Sequence, residues 1–343
     1  MSGLVEIWAS LVVDAQERRA TGDNRPVARL LSKTAPTRIY LVVAVPELTR
    51  QMLVQLPTES SVTVADLPAW RGLGCGIRRL DVADVHNQPF LVLQQDIAGT
   101  ERVYEMVIDD LAETLLESPA RASMADLLEN ALGRWSAFFS EHGFDGLSPE
   151  QQRGLYGELW FLRDHLIPRL GALQAARAWS GFVGAPQDFQ LGGRAIELKT
   201  SIAKLHHKVG IANELQLDDR GLASLHLGVL LLGELDGAPT LPRLVSDLDR
   251  LLQDEPGATS AYRDGLRSAG YLDAHADHYT TGYVYRSFRC FGVREGFPRI
   301  LDTDIPEGVG DVRFTIAMSA CAAFEVTIDD AVDEFSRGLD TAP

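Results

Sequence analysis

The chain has 343 residues, with 45% hydrophobic and 23% charged side chains. That is ordinary globular composition, which excludes global disorder, and a length that calls for two or three domains. Its formal net charge of −16, from 48 acids against 32 bases, excludes a uniformly basic, polyanion-binding surface and leaves room only for a local basic site.

The opening, MSGLVEIWASLVVDAQ, has no basic n-region or cleavage site and is expected to be folded chain, with a helix over Leu4 to Arg19. Strands are predicted at Arg38 to Val45, Gln51 to Leu56, Pro89 to Gln95 and Val103 to Ile108, where β-branched residues are dense and Pro46 and Pro57 act as stops. Gly72-Leu-Gly74-Cys-Gly76 lacks the remaining spacing of a dinucleotide-binding loop and reads as a turn. From Asp109 the apolar period becomes 3.6, and Leu111, Leu115, Leu128, Leu132, Trp135 and Phe139 mark two helices. The two glycines of 142–148 make the best domain boundary.

Ser148-Pro149-Glu150-Gln151 is a capping box with proline at the first helical position. The helix it starts is expected to run to Leu166 and to be broken by Pro168. A short helix, Ala172 to Trp179, and a buried strand, Leu225 to Leu235, flank the most informative segment. The last third mixes helices (Leu241 to Leu252, Ala261 to Ala269) with strands (Gly282 to Val293, Val312 to Ser319). The expected organisation is a β-rich region ending in helices over 1–145, a core over 146–236 and an α+β region over 237–343.

No run of about 18 apolar residues suggests a membrane span, and the longest, 227–233, is strand-sized. The three cysteines, Cys75, Cys290 and Cys321, form no pair or zinc spacing and suit a reducing, cytoplasmic setting. Asp273, His275, Asp277 and His278 are read as a solvated loop and not a metal cluster, and Tyr279, Tyr283 and Tyr285 as packing residues before base-stacking ones. Trp160 and Phe161 are read as core.

Chemistry concentrates in 186–201. Gly192-Gly193 between two strand-like runs signals a two-residue hairpin, because glycine accepts the positive φ of the primed turns. That register sets Leu191 opposite Arg194, Phe189 opposite Ile196 and Asp188 opposite Glu197. Side chains alternate along a strand, so Phe189, Ile196 and Leu198 are expected to enter a core while Asp188, Glu197 and Lys199 share the other face. Two carboxylates paired across a hairpin repel one another. A divalent cation gives a reason to build them, since Mg²⁺ takes carboxylate oxygens and keeps waters for substrate. The plain alternative is a solvated hairpin with its charges in water. Three of the chain's four lysines, Lys199, Lys204 and Lys208 but not Lys33, fall in this stretch with His206 and His207, a local basic patch suited to phosphate contacts. Gln216 is a further candidate for orienting substrate or water.

Pro186-Gln187-Asp188 followed by Glu197-Leu198-Lys199 resembles the PD-(D/E)XK nuclease superfamily, with Gln187 as an insertion into the usual Pro-Asp dipeptide. Gly154-Leu155-Tyr156-Gly157-Glu158-Leu159 upstream and the His206, His207 and Gln216-Leu217 segment downstream resemble one branch of it in particular. That branch belongs to bacterial restriction and phage-defence loci. Phe297-Pro298-Arg299-Ile300 is a less specific likeness. The resemblance implies a restriction-endonuclease-like α/β core with a mixed central sheet flanked by helices, and a metal-dependent endonuclease acting on DNA. It implies Asp188, Glu197, the Leu198 carbonyl and Glu158 as ligands of Mg²⁺, with Mn²⁺ as substitute. It implies Lys199 and Gln216 as catalytic residues beside them, and Lys204, His206, His207 and Lys208 as substrate contacts. Other subunits of a defence complex are the expected partners, and a homodimer would account for cutting both strands. A catalytically silent interaction subunit, or a nuclease acting on RNA, would share these motifs.

Overall fold

The computed structural model describes residues 2–32, 38–57, 62–63, 65, 67–68, 70–82, 85–117, 123–179, 186–202, 208–310 and 312–341. The chain divides into two compact units, Met1–Gly146 and Leu147–Pro343.

The first unit is a five-stranded sheet with helices. It begins with α1 (Ser2–Ala20), followed by β1 (Val27–Ser32), β2 (Ile39–Val43), β3 (Arg50–Gln55), β4 (Leu73–Val82) and β5 (Val85–Gln95). The strand order is β1-β2-β3-β5-β4 with every pairing antiparallel. Helices α2 (Glu101–Glu117) and α3 (Met124–His142) complete it. Trp8, Leu11, Ile108, Leu111, Leu128 and Leu132 from the helices share one core with Ile39, Leu41, Met52, Leu91 and Leu93 from the strands.

Two sequence expectations fail here. Val103 to Ile108 is helix and not strand: Val103, Tyr104, Val107, Ile108, Leu111 and Leu115 are buried along one stripe of α2. Tertiary burial at period 3.6 overrides the β-propensity of Val and Ile. Gly72 to Gly76 is a turn only at its start. Gly72 has φ +100°, but β4 runs straight through Gly74, where a Cβ would lie 2.5 Å from Asp96 Oδ1. Glycine serves that close approach and not a loop.

The second unit starts at α4 (Pro149–Phe161), with both bonds of the expected capping box formed between Ser148 and Gln151. Pro168 does not end this helix. A π-helical turn over Leu162–Leu166 widens the spiral, and α5 (Ile167–Leu170) continues it with Pro168 in its first turn, where no N–H is required. Then come α6 (Ala172–Ala178), β6 (Phe189–Leu191), β7 (Arg194–Ser201), β8 (Lys208–Ile211), a 3₁₀ turn at Glu214–Leu217 and β9 (Ser224–Glu234). The chain continues through α7 (Leu241–Leu252), α8 (Pro256–Ser268), β10 (Tyr283–Val293), β11 (Phe314–Ala317), β12 (Glu325–Val326) and α9 (Ile328–Ser336).

The central sheet is mixed, in order β12-β10-β9-β7-β6, with β7 and β9 parallel and the other pairs antiparallel. Residues 237–343, expected as a separate region, supply β10 and β12 to this same sheet. One face carries Ile196, Leu198, Leu230 and Leu232 into a core with α4, α6, α7 and α8. The other carries Ala195, Leu225, Leu227 and Val229 against the two-stranded β8–β11 sheet and Leu217. Covered on both faces, β9 has the nearly continuous apolar run seen at 227–232. The architecture is α/β, with a mixed central sheet that carries helices on one face and the small β8–β11 sheet on the other, in place of the helices expected on its flanks. Among the described residues no helix is long and apolar enough to cross a membrane.

Candidate active site

The hairpin forms in the register read from Gly192-Gly193. Both glycines have positive φ (52° and 75°), and Leu191 pairs with Arg194, Gln190 with Ala195 and Phe189 with Ile196. Phe189 and Ile196 are fully buried with Leu198 in the helix-side core. Asp188 lies one residue outside the β6 ladder, and its Oδ2 accepts a hydrogen bond from the Leu198 N–H at 2.7 Å. In a strand the N–H and C=O of one residue point to the same side. The Leu198 carbonyl is therefore also directed toward Asp188.

Glu197 points to the opposite face from Ile196, into the layer formed by β8, β11 and the 3₁₀ turn, and has 0% exposure. Lys199 Nζ lies 2.6 Å from Glu197 Oε1. It also donates to Gln216 Oε1 at 3.0 Å, and that oxygen accepts the Ala212 N–H at 2.9 Å. Gln216 is thus brought to the lysine by the 3₁₀ turn, which Asn213 caps. The turn is clamped from both sides. The buried Gln187 donates to the Leu215 carbonyl at 2.8 Å and accepts from Gln190, while Arg299 donates to the Leu217 carbonyl at 2.8 Å and pairs with Asp219.

Glu158 arrives from α4. That helix sits against β7 so closely that a Cβ at Gly157 would lie 1.9 Å from Thr200 Oγ1. Glu158 Oε2 accepts the Trp179 indole N–H at 2.8 Å.

Among the described residues the electrostatics are unbalanced: three carboxylates share one ammonium. Burial, reinforced by Asp188, pushes the Glu158 carboxyl up to about 8 against an ordinary 4.5, although Trp179 and Lys199 pull it down. Burial raises Asp188 as well, opposed by Lys199 and the Leu198 N–H. Glu197 is raised well above the carboxylate range by burial and by Asp188. Burial alone would lower the Lys199 ammonium, but Glu197 and Asp188 outweigh it and hold its pKa above the usual lysine value.

Neither Glu197 oxygen receives a well-directed hydrogen bond from a described residue, although the Lys199 ammonium lies against Oε1. Among the described residues no group of three or more His, Cys, Asp or Glu side chains forms a ready-made metal cage. The donor set is nonetheless all hard oxygen with surplus negative charge, which suits an ion that uses one or two carboxylates and keeps its waters.

Of the other sequence candidates, Lys204, His206 and His207 lie outside the described residues. Lys208 opens β8, exposed and opposite Ala317, and no described contact joins it to the carboxylates. Asp273 to His278 is a 3₁₀ helix and not a solvated loop, because Asp273 is ion-paired to Arg263 at 2.7 Å and His275 is buried. Tyr279 and Tyr283 are buried packing residues as read, but Tyr285 is 56% exposed. Sequence reasoning missed Trp179, the positioning role of Gln187, and Arg299. Trp179 carried a signal, since a buried indole N–H needs an acceptor. The other two bind backbone carbonyls distant in sequence and carried none.

The family model described as "Putative PD-(D/E)XK family member, (DUF4420)" matches residues 4–319. Comparison with curated proteins returns no match, and neither does comparison with solved structures.

Proposed function

The chain belongs to this family of PD-(D/E)XK proteins, and from that premise we propose that it is a Mg²⁺-dependent deoxyribonuclease that hydrolyses DNA phosphodiester bonds. The observation that carries the reading is the gathering of Glu158, Asp188 and Glu197 around one ammonium, with all three carboxyls raised. A purely structural site has little reason to assemble that much repulsion.

Asp188, Glu197 and the Leu198 carbonyl would hold the ion, with Glu158 beside them. When bound, the ion supplies Lewis acidity and positive charge. Lys199 stays protonated, so it acts as a hydrogen-bond donor that orients the attacking water and offsets charge on the phosphate, not as a base. Gln216 fixes the ammonium in place. Glu197 and Lys199 come from one strand and Gln216 from a turn clamped by Gln187 and Arg299, so little reorganisation is needed on binding substrate.

A chain of net charge −16 approaches DNA poorly alone, which supports action alongside basic subunits of a restriction or phage-defence complex. The same charge is what a silent interaction subunit would show. The test is incubation of the protein with supercoiled plasmid and linear phage DNA, with Mg²⁺ or Mn²⁺, beside Asp188→Ala and Lys199→Ala. Nicking or cutting by the wild type, lost in both variants and in EDTA, is expected. Equal cutting by all three would overturn the site. Absence of cutting together with metal binding indifferent to Asp188→Ala would leave the silent subunit.

A further inference from the structure

A cavity of about 370 Å³ opens at the β10–β12 edge of the central sheet. Its walls include Trp160, His165, Tyr285, Phe288, Arg289 and Glu325. It is separate from the carboxylate cluster. Phe288 pairs with Leu230 and packs in the helix-side core, whereas Glu197 and Lys199 pair with Leu227 and Val229 on the opposite face. Glu158 and Trp160 share α4, but residues two apart on a helix do not face each other.

Two features of the cavity are unusual for packing alone. Trp160 stacks with Tyr285 (centroids 5.6 Å, 28°) and leans on Phe288 (5.7 Å, 43°), yet Tyr285 is 56% exposed. A soluble protein gains little by leaving the outer ring of an aromatic stack in water. His165 stands on the π-helical turn Leu162–Leu166, against Trp160 and Phe161, and its Nε2 is buried with no hydrogen-bond partner among the described residues. Such turns are rare and concentrate at functional positions. Burial holds the imidazole neutral, so it offers hydrogen bonding without charge.

A ring stack with one face open and an imidazole nitrogen at its edge suits a flat heteroaromatic ring that can hydrogen-bond along its own edge. The volume lies at the lower end of small-molecule sites, roughly 300–1,000 Å³. A methylammonium cage would need rings set apart to surround a cation, whereas Trp160 and Tyr285 already lie against each other. We propose that this cavity is a nucleobase-binding site, with Tyr285 and Trp160 as the stacking platform and His165 at the base edge. The base comes either from a nucleic-acid strand or from a free nucleotide. Because the site lies across the sheet from Lys199, it selects or senses nucleic acid and does not position the bond to be cut. Its link to a nucleic-acid substrate rests on the proposed function, but the cavity's chemistry does not.

The test is calorimetric titration of the full chain in EDTA, where no cleavage occurs. The probes are adenosine monophosphate, a short single-stranded DNA oligonucleotide and tetramethylammonium. The variants are Tyr285→Ala, chosen because the side chain is exposed, His165→Phe, which keeps a ring in place, and Asp188→Ala. Base stacking predicts that Tyr285→Ala weakens binding about tenfold or more. His165→Phe should also weaken it, and Asp188→Ala should leave it unchanged. Binding of the mononucleotide assigns an effector site, and binding of the strand alone assigns a substrate base. No binding of either, binding indifferent to Tyr285→Ala, or binding of tetramethylammonium in their place would overturn the proposal. Since plasmid cleavage is scored separately, loss of one reading leaves the other standing.

Discussion

Lys199 Nζ lies 2.6 Å from Oε1 of Glu197, a carboxylate with no exposed surface. The pair is adjacent on one face of β7, yet among the described residues it leaves Asp188 and Glu158 to share that same ammonium. Charge held this way raises proton affinity, and proton affinity is coupled to stability.

The first prediction follows from that coupling. A carboxyl whose folded pKa lies above its unfolded value binds more protons folded than unfolded between the two values, so stability falls as pH rises through that window. Glu158 sets it at about 4.5 to about 8, and Asp188 and Glu197 shift the same way. The metal-free protein should therefore lose thermal stability from pH 4.5 to 8. If Mg²⁺ is held as proposed, it takes the deprotonated carboxylates, so saturating ion should flatten or reverse the slope. Melting curves across pH, with and without Mg²⁺ and in Glu158→Gln, check this; a wild-type slope unaffected by Mg²⁺ would count against the site.

Lys199→Met should behave asymmetrically with pH. At pH 8 it leaves buried carboxylates without their counterion, a change that costs about 3–5 kcal/mol when a buried pair is broken. Burial and Asp188 raise the proton affinity of Glu197, so its need for the ammonium weakens as pH falls and the loss at pH 5 should be smaller. Chemical denaturation at the two pH values measures the difference. Cleavage should be abolished at both.

Part of this site was legible in the sequence because its signals are local. Gly192-Gly193 fixed a turn type, the turn type fixed a register, and period-two alternation then separated Phe189, Ile196 and Leu198 from Glu197 and Lys199. Ser148 and Gln151 announced the start of α4 in the same way. What stayed hidden depends on contacts between distant segments. Arg299 reaches the Leu217 carbonyl 82 residues away, and nothing near Arg299 betrays an acceptor there. Val103 to Ile108 misled because its β-branched residues also fit a helix once one stripe is buried. Pro168 misled because the π turn before it depends on how the helix packs.

Gly157 should resist substitution. A Cβ there would come 1.9 Å from Thr200 Oγ1 and 3.0 Å from Thr200 Cβ, so α4 would have to lift from β7. Overpacking of this kind costs typically about 1–3 kcal/mol. Lifting the helix also moves Glu158 off the cluster. Gly157→Ala should lower both stability and cleavage. Thr200→Ala in the same chain should restore part of each, since it removes the nearer atom and leaves the farther one. Simple additivity in this double-mutant cycle would disprove the contact.

The clamps on the 3₁₀ turn give the last prediction. Gln187 is 2% exposed and its amide satisfies the Leu215 carbonyl on one flank of Gln216, while Arg299 satisfies the Leu217 carbonyl on the other. Removing Arg299 takes the side-chain donor from the Leu217 carbonyl, at a cost of about 1–3 kcal/mol, while removing Gln187 leaves the Leu215 carbonyl with the Asp218 N–H and costs less. The turn would loosen, Gln216 would no longer hold the Lys199 ammonium, and that ammonium would sample positions away from the phosphate. Gln187→Ala and Arg299→Ala should therefore lower kcat more than they raise KM, because the group they misplace acts on developing charge and not on ground-state binding. Gln187→Glu keeps the size but offers the carbonyl no N–H, so it should fail like alanine, and Gln187→Asn should fall short in reach. If Gln187→Glu cleaved as well as the wild type, the amide could not be what holds the turn.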